Sequence, residues 1–297
     1  MILVNNKERI EAILERAING HDLSPTEGLT LLQQKDPTII TAIGITADRL
    51  RQIQVGNTVT YVVNRNINFT NICEQHCSFC AFRRDEGEKG AFWLDTAQII
   101  TKAADAVKRG ATEICMQGGL NPQAKLHGNT LPYYQQLVRS IKEEFPQLHI
   151  HAFSPQEVQF IAREDDISYE KVIDSLGEAG VGSMPGTAAE VLDDEVRKII
   201  CPEKINAATW VEIVSTAHRL GMPTTSTMLS SHIETPQQQI RHLEQLRSLQ
   251  KKAIEGNYPV KITEFIILPF VGKFAPKSLR RKVGREQPIL EEVFLFH

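Results

Sequence analysis

The sequence lacks any long apolar run and any strong excess of charge. Its 297 residues include 33 lysines and arginines against 36 aspartates and glutamates, a formal net charge of −3. No apolar stretch approaches the roughly 20 residues that span a bilayer, and residues 5–9 (NNKER) lack the apolar segment of a secretion signal. The weak charge gives no general field for nucleic acid. We therefore expect a cytoplasmic protein that binds neither a membrane nor nucleic acid.

Glycine and proline are not over-represented, and cysteine is scarce. The 18 glycines and 14 prolines are near average usage, which excludes a collagen-like or low-complexity chain. A chain of this length can bury a sizeable core without disulfides. The five cysteines therefore need another explanation.

Hydrophobic periodicity indicates two structural regions. Up to about residue 56 the apolar residues recur at helical spacing, and Ser24 and Glu27 form a Ser-x-x-Glu capping box. We expect a helical cap over 1–56.

From residue 58 onward β-rich runs alternate with amphipathic runs, which predicts parallel strands joined by crossover helices. Strands are predicted near 59–69, 112–117, 149–153, 181–184, 223–228 and 261–268. Helices are predicted over 96–109, 132–144, 169–179, 207–220 and 236–254, with stops at Gly110, Gly180 and Gly221.

This repeat of roughly 30 to 40 residues predicts an α/β fold, a (β/α) barrel of the TIM type, with its chemistry at the carboxyl ends of the strands. About six strands are visible, so we expect an incomplete barrel over 57–272 and a truncated or atypical tail over 273–297. A barrel cut short exposes strand edges. We therefore expect this chain to express poorly or to be inactive alone.

Three cysteines, Cys73, Cys77 and Cys80, fall directly after the first predicted strand. Their spacing lets one short loop wrap around a compact cluster, with three thiolates on three irons and the fourth iron open. Apolar neighbours such as Phe79 would limit water. Structural zinc with His76 as a fourth ligand is less favoured, because no second ligand pair follows. Cys115 and Cys201 stand alone, and each is predicted to be a small buried residue.

The three cysteines, with an aromatic residue just before the last one, resemble the radical S-adenosylmethionine superfamily. The resemblance implies a [4Fe–4S] cluster whose open iron chelates S-adenosylmethionine. It also implies reductive cleavage of the sulfonium, giving methionine and a 5'-deoxyadenosyl radical that takes hydrogen from the substrate.

Five further segments narrow the resemblance to the CofH-type family, FO synthase subunit 2: 64–71 (NRNINFTN), 80–84 (CAFRR), 116–119 (MQGG), 151–155 (HAFSP) and 182–190 (GSMPGTAAE). That family implies transfer of the 4-hydroxybenzyl group of L-tyrosine to 5-amino-6-(D-ribitylamino)uracil in FO (deazaflavin) biosynthesis, with release of 2-iminoacetate. It implies FO synthase subunit 1 as partner and a reducing electron donor.

Two alternatives stay open. Two menaquinone-pathway relatives, aminofutalosine synthase and dehypoxanthine futalosine cyclase, share the cluster loop. A non-catalytic iron–sulfur or zinc protein is the alternative from another class.

The resemblance also implies roles for individual residues. The cluster ligands are Cys73, Cys77 and Cys80. Cofactor contacts are expected from Phe79, Gln117, Gly118, Gly119, Ser154 and Glu190. Apart from the resemblance, positions on or just after predicted strands, at the barrel mouth, suggest catalytic roles for His151, His232 and Glu234. Guanidinium geometry lets Arg65 or Arg83 pair with a carboxylate. Ser154 fits a helix start equally well, and each arginine fits a surface ion pair equally well.

Overall fold

The computed structural model describes residues 6–272, 276, 277, 279 and 280. The helices are α1 (Asn6–Ile18), α2 (Pro25–Leu32), α3 (Pro37–Val55), α4 (Thr96–Lys108), α5 (Thr130–Glu144), α6 (Pro155–Asp165), α7 (Tyr169–Ala179), α8 (Asp194–Ile200), α9 (Ala207–Arg219) and α10 (Pro236–Glu255). The strands are β1 (Asn64–Asn68), β2 (Glu113–Gln117), β3 (His149–His151), β4 (Thr224–Ser230) and β5 (Ile262–Pro269).

Local sequence signals set the ends of many helices. The predicted capping box is confirmed: the Ser24 N–H donates to Glu27 Oε2 at 2.8 Å and the Glu27 N–H donates to Ser24 Oγ at 3.3 Å. The predicted helix stops at Gly110, Gly180 and Gly221 are also confirmed. All three have positive φ, which glycine adopts without steric cost.

The strands pair in parallel, as predicted. β1, β2 and β3 form one sheet in that order, and β4 pairs with β5. Two isolated parallel bridges, His151 to Ser183 and Met184 to Thr224, link the two sheets. The protein is therefore an α/β fold in which helices connect parallel strands.

Two strand predictions differ from the structure. Residues 181–184 form only the two bridges, and β1 begins at Asn64 rather than near residue 59. Val59 and Tyr61 are exposed, and the first ladder contact comes only at Val63, whose carbonyl accepts from the Thr112 N–H at 2.8 Å. Strand-like composition does not make a strand without a partner backbone. Helices α6 and α8 fall outside the predicted helix ranges.

The sheet has one apolar and one polar face. Ile67, Ile114, Met116 and Ile150 are fully buried in the main core together with residues of the surrounding helices. Because side chains alternate along a strand, the intervening residues point to the opposite face. We call this the polar face; its β1–β3 residues are Asn64, Asn66, Asn68, Glu113, Cys115, Gln117, His149 and His151.

The N-terminal helices pack on one another and on α10. Ile10 and Ile13 of α1 are buried, and Arg247 of α10 donates to the Leu23 carbonyl at 2.6 Å. Residues 6–55 therefore form three helices joined by short connections. Over the described residues, no helix is both long and apolar enough to cross a bilayer. The predicted tail, 273–297, lies outside the described residues except at 276, 277, 279 and 280.

Candidate active site

A loop carrying the three clustered cysteines follows β1, and Asn71 closes its base. Asn71 Oδ1 accepts from the Phe92 N–H at 2.7 Å, and Asn71 Nδ2 donates to the Gly90 carbonyl at 2.9 Å. The Arg84 N–H donates to the Asn71 carbonyl at 2.8 Å. Asn71 therefore connects the start of the loop to the chain segment that follows the loop. We call residues 73–80 the cysteine loop.

A distant segment, residues 199–204, holds the cysteine loop from its other side. Gln75 Nε2 donates to the Glu203 carbonyl at 2.9 Å, and the His76 N–H donates to the Glu203 carboxylate at 2.6 Å. The Ser78 N–H donates to the Ile200 carbonyl at 2.7 Å. His76 thus helps to hold the cysteine loop in place through its backbone N–H. We call residues 199–204 the anchor segment.

The environment of the cysteines fits an iron–sulfur cluster. Cys77 is buried and Cys73 and Cys80 are half-buried, and all three are free of disulfides. Burial raises the pKa of Cys73, and it raises the pKa of Cys77 to about 12. Such thiols ionise only when positive charge is supplied, which bound iron does.

In the described part of the chain, no three His, Cys, Asp or Glu side chains are close enough together to bind one metal ion. In a [4Fe–4S] cluster each thiolate binds its own iron, so the ligands need not converge on one point.

Lys204 brings a largely covered positive charge to the cysteine loop. Its Nζ lies 2.7 Å from Glu190 Oε1 and 5.4 Å from the centre of the Phe79 ring. Burial by itself lowers the pKa of Lys204, but Glu190, Cys77 and Cys201 outweigh that effect and raise it. Lys204 therefore stays charged. Glu190 and Phe79, two predicted cofactor contacts, are brought together by a lysine that the sequence analysis did not identify.

Gly118 and Gly119 lie where the end of β2 meets the cysteine loop. A Cβ on Gly119 would lie 2.2 Å from the Ile72 carbonyl oxygen and 2.9 Å from Cys73 Cβ. A Cβ on Gly118 would lie 2.6 Å from the Phe69 ring. From the sequence, these glycines are expected to admit a ligand. In the structure their missing side chains let the protein pack against itself, so the ligand contact stays a prediction.

Glu157 joins α6 to this glycine corner. Glu157 Oε1 accepts from the Gly118 N–H at 3.0 Å, and Oε2 accepts from the N–H and hydroxyl of Ser154 at 2.8 and 2.6 Å. Burial raises the pKa of Glu157 to about 7, although these hydrogen bonds act to lower it. The Ser154 hydroxyl is therefore engaged in a capping box, the helix start that the sequence also allowed.

The 182–190 stretch is shaped by close packing and by a buried arginine. A Cβ on Gly186 would lie 1.8 Å from the Thr225 carbonyl oxygen. Arg197, buried in α8, donates to the carbonyls of Ala188 and Ala189 at 3.1 and 2.6 Å. Ala188 and Glu190 both have positive φ. Arg197 thus stabilises an unusual backbone path that places Glu190 beside Lys204.

The polar face groups hydrogen-bonding side chains in rows set by the strand register. Asn64, Glu113 and His149 form one row; Asn66, Cys115 and His151 form the next; Asn68 and Gln117 form the third. Gln117 Oε1 accepts from the Thr187 hydroxyl at 3.1 Å. Burial lowers the pKa of His151 to about 4, with His149 acting in the same direction. The prediction that Cys115 is buried is wrong: it is half-buried on this face.

His232 and Glu234 are enclosed in their own loop. Their side chains are 0% and 1% exposed, so neither is open to a substrate here. Glu234 accepts from the backbone N–H groups of Ser231 and His232 at 2.6 and 2.9 Å. His232 Nε2 donates to the Leu229 carbonyl at 3.0 Å, while Nδ1 accepts from the Ile233 N–H at 2.7 Å. Burial lowers the pKa of His232, although Glu234 opposes it. These bonds stabilise the loop after β4.

The two candidate arginines both have protein partners. Arg65 pairs with Asp105 of α4, on the helical side of the sheet, which is the surface ion pair the sequence allowed. Arg83 donates to the Cys73 carbonyl at 3.2 Å and to Asp85 at 2.5 Å, while its Nε is buried without a partner in the described structure. Arg83 therefore supports the cysteine loop.

Several residues that build this site were not predicted from the sequence. Ser183 lies inside the 182–190 segment, and Glu157 lies two residues after the 151–155 segment. The Ser-x-x-Glu spacing was a usable signal for Glu157. Lys204 and Arg197 had no such signal. Lys204 acts on a loop distant in sequence, and Arg197 acts on backbone carbonyls, which no side-chain pattern reveals.

The chain matches known proteins over most of its length. Residues 67–246 match the family model of the Radical SAM superfamily. A relative from Nostoc punctiforme, named 5-amino-6-(D-ribitylamino)uracil--L-tyrosine 4-hydroxyphenyl transferase, is 70% identical over 97% of this chain and 76% of its own length. The protein of the same name from Trichodesmium erythraeum is 69% identical over 98% of this chain and 77% of its own length. The chain belongs to this family of radical SAM transferases.

Family membership settles the class of protein. The chain is an enzyme of the transferase class, and its family implies a [4Fe–4S] cluster and S-adenosylmethionine as cofactors. The alternative of a non-catalytic zinc or iron–sulfur protein is therefore wrong. The cysteine loop, held by Asn71 and the anchor segment, lies within the matched range.

Solved structures share the fold at low sequence identity. Methylornithine synthase (PylB) superposes with a TM-score of 0.67 at 17% identity, covering 95% of this chain and 73% of that protein. The FeFe-hydrogenase maturase HydG from Carboxydothermus hydrogenoformans superposes with a TM-score of 0.71 at 17% identity, covering 97% of this chain and 61% of that protein.

Proposed function

We propose that this radical SAM transferase joins the 4-hydroxybenzyl group of L-tyrosine to 5-amino-6-(D-ribitylamino)uracil, a step of FO biosynthesis, and releases 2-iminoacetate, 5'-deoxyadenosine and methionine. The observation that carries the proposal is the 70% identity, over nearly the whole chain, to a relative named for that transfer. The menaquinone-pathway alternative has no comparable support, since the relative from Synechococcus elongatus, at 57% identity, still carries the same name.

The cysteine loop would hold the cluster through Cys73, Cys77 and Cys80. When bound, the cluster and S-adenosylmethionine supply the electron transfer and radical chemistry that protein side chains cannot. The chain orders the loop through Asn71 and the anchor segment. Lys204 places positive charge next to the thiols and so favours their ionised form.

Substrate binding is assigned to the polar face of the sheet. This face presents amide groups of Asn66, Asn68 and Gln117 and the imidazole of His151, all partly or fully accessible. Amides both donate and accept hydrogen bonds, which matches the alternating C=O and N–H groups of a uracil ring. The buried apolar face behind them keeps the strands rigid.

The same proposal covers the architecture. The parallel strands with intervening bridges, together with the likeness to PylB and HydG, support an incomplete TIM-type (β/α) barrel of about six strands with the polar face inside. Residues 1–56 would form its helical cap, 57–272 its core and 273–297 its tail.

Partners and location follow from the chemistry. The product requires a ring-closing radical enzyme, FO synthase subunit 1, and the cluster requires a low-potential electron donor. Free thiols persist in a reducing compartment, which supports the cytoplasm.

The test is anaerobic reconstitution followed by mass-spectrometric product analysis. We expect a [4Fe–4S] spectrum and, in any preparation that is active, 5'-deoxyadenosine that forms only when both tyrosine and the aminouracil are present. Cys73→Ser, Cys77→Ser and Cys80→Ser should each lose iron, while Cys115→Ser should keep it. Turnover with a futalosine or chorismate-derived substrate instead would favour the menaquinone-pathway assignment. Iron retained by all three serine variants would exclude the loop as the cluster site.

A further inference from the structure

Ser183 lies between two histidine rings on the polar face. Its Oγ is 2.7 Å from His149 Nε2 and 2.6 Å from His151 Nδ1. A hydroxyl has one proton, so it donates to one ring nitrogen and accepts from the other. With both rings neutral, two arrangements satisfy both hydrogen bonds. In one, His149 donates and His151 Nδ1 accepts; in the other, the direction is reversed.

Glu113 selects between the two arrangements. Its Oε2 lies 3.9 Å from His149 Nε2, the same nitrogen that faces Ser183. A carboxylate at this distance stabilises a proton on that nitrogen. His149 then donates to Ser183, Ser183 donates to His151 Nδ1, and the proton of the neutral His151 ring lies on Nε2.

The surroundings keep this arrangement in place and leave it open to a ligand. A Cβ on Gly182 would lie 2.5 Å from His149 Cε1, so Gly182 provides the space for that ring. His151 Nε2 has no hydrogen-bond partner within the described residues and is not among their buried unpartnered atoms. Among the titratable groups of the described sheet, Cys115 is the register partner of His151 on β2, and His149 and Glu113 lie in the neighbouring row. Burial lowers the pKa of His151 to about 4, so the ring is neutral near pH 7.

We propose that His149 and Ser183 are positioning residues that fix His151 as a neutral hydrogen-bond donor, through its Nε2–H, to a carbonyl oxygen of the bound substrate. The substrate half of this inference rests on the proposed function, in which the polar face binds a uracil ring with two carbonyl groups. The position of the proton on His151 is argued only from contacts within the protein. A donor at this position selects carbonyl-bearing ligands and does not accept a proton from them.

The tautomer is tested by NMR of the ring nitrogens in the full-length, anaerobically reconstituted protein with isotope-labelled histidine. His151→Gln assigns the signals. We expect the His151 proton on Nε2 and an unprotonated Nδ1 near neutral pH. Ser183→Ala should give a mixture of tautomers, Ser183→Thr should retain the wild-type form, and Glu113→Gln should shift the proton toward Nδ1. A wild-type His151 with its proton on Nδ1 would overturn the proposal.

Steady-state kinetics test the substrate half. One lost hydrogen bond should raise the KM for the aminouracil about tenfold in Ser183→Ala, with a smaller change in kcat, and Ser183→Thr should restore it. An unchanged KM in Ser183→Ala would refute the donor role. The two proposals can fail separately. Normal aminouracil turnover with the His151 proton on Nδ1 would refute the tautomer proposal and leave the proposed function intact. A His151 proton on Nε2, in a protein that neither binds nor converts the aminouracil, would refute the proposed function and leave the tautomer assignment intact.

Discussion

Lys204 and Glu190 form an ion pair of 2.7 Å beside the cysteine loop, and their side chains are only 15% and 11% exposed. Lys204 lies against the Phe79 ring, and Glu190 ends the 182–190 stretch, whose backbone path Arg197 stabilises. Removing one partner of a buried pair leaves the other charge uncompensated, which costs more than the pair itself contributes.

Lys204→Met should therefore lower the free energy of unfolding by about 3 kcal/mol, because Glu190 would be left buried and unpaired. The double variant Lys204→Met/Glu190→Gln should recover much of that loss. Urea denaturation of the three proteins measures both effects. Lys251→Met is the matched control, since its pair with Glu255 is 3.7 Å long and exposed, and it should change nothing measurable. Equal instability of the single and double variants would contradict the argument.

Gly119→Ala should lose iron without unfolding the protein. Its new Cβ would lie 2.2 Å from the Ile72 carbonyl oxygen, so the backbone that leads into Cys73 must move. We expect iron per chain after reconstitution to fall by more than half, with the far-ultraviolet circular dichroism unchanged.

Gly177→Ala is the control for the glycine prediction. It lies inside α7, and its new Cβ would make an ordinary contact of 3.6 Å with Met222. This variant should keep its iron and gain roughly 0.5 to 1 kcal/mol of stability, because alanine favours a helix. Full iron content in Gly119→Ala would show that the loop tolerates the displacement.

Glu157 should make stability fall as pH rises. Its pKa is about 7 in the fold against an ordinary 4.5, so between these values the folded protein keeps a proton that the unfolded chain has lost. The stability advantage of wild type over Glu157→Gln should therefore shrink by about 3 kcal/mol from pH 4.5 to pH 7, since glutamine does not titrate. Urea denaturation of both proteins across that range measures it. A difference independent of pH would mean that the pKa of Glu157 is not raised in the fold.

Much of the fold could be predicted from local signals. Helices α4, α7, α9 and α10 follow the predicted ranges within a residue or so, because caps and glycine stops fix helix ends locally. Residues 59–63 and 181–184 were assigned as strand from composition, but a ladder depends on a neighbouring backbone that composition does not reveal.

The site was predictable where its residues are close in sequence. The cysteine spacing and the family resemblance pointed to the cluster loop and to the chemistry. His232 and Glu234 were predicted as catalytic because they follow a strand, yet their polar atoms satisfy the backbone of their own loop. Lys204 and the Ser183 bridge could not be found this way, because the fold alone brings them to Glu190 and to the two histidines.

The bonds from the anchor segment to Gln75, His76 and Ser78 join positions more than 120 residues apart. During synthesis the cysteines therefore leave the ribosome long before their supporting backbone exists. A chain released before Glu203 carries every sulfur ligand but lacks the contacts that order them. Iron inserted at that stage would meet an unordered peptide, so stable metallation is coupled to synthesis of the whole anchor segment.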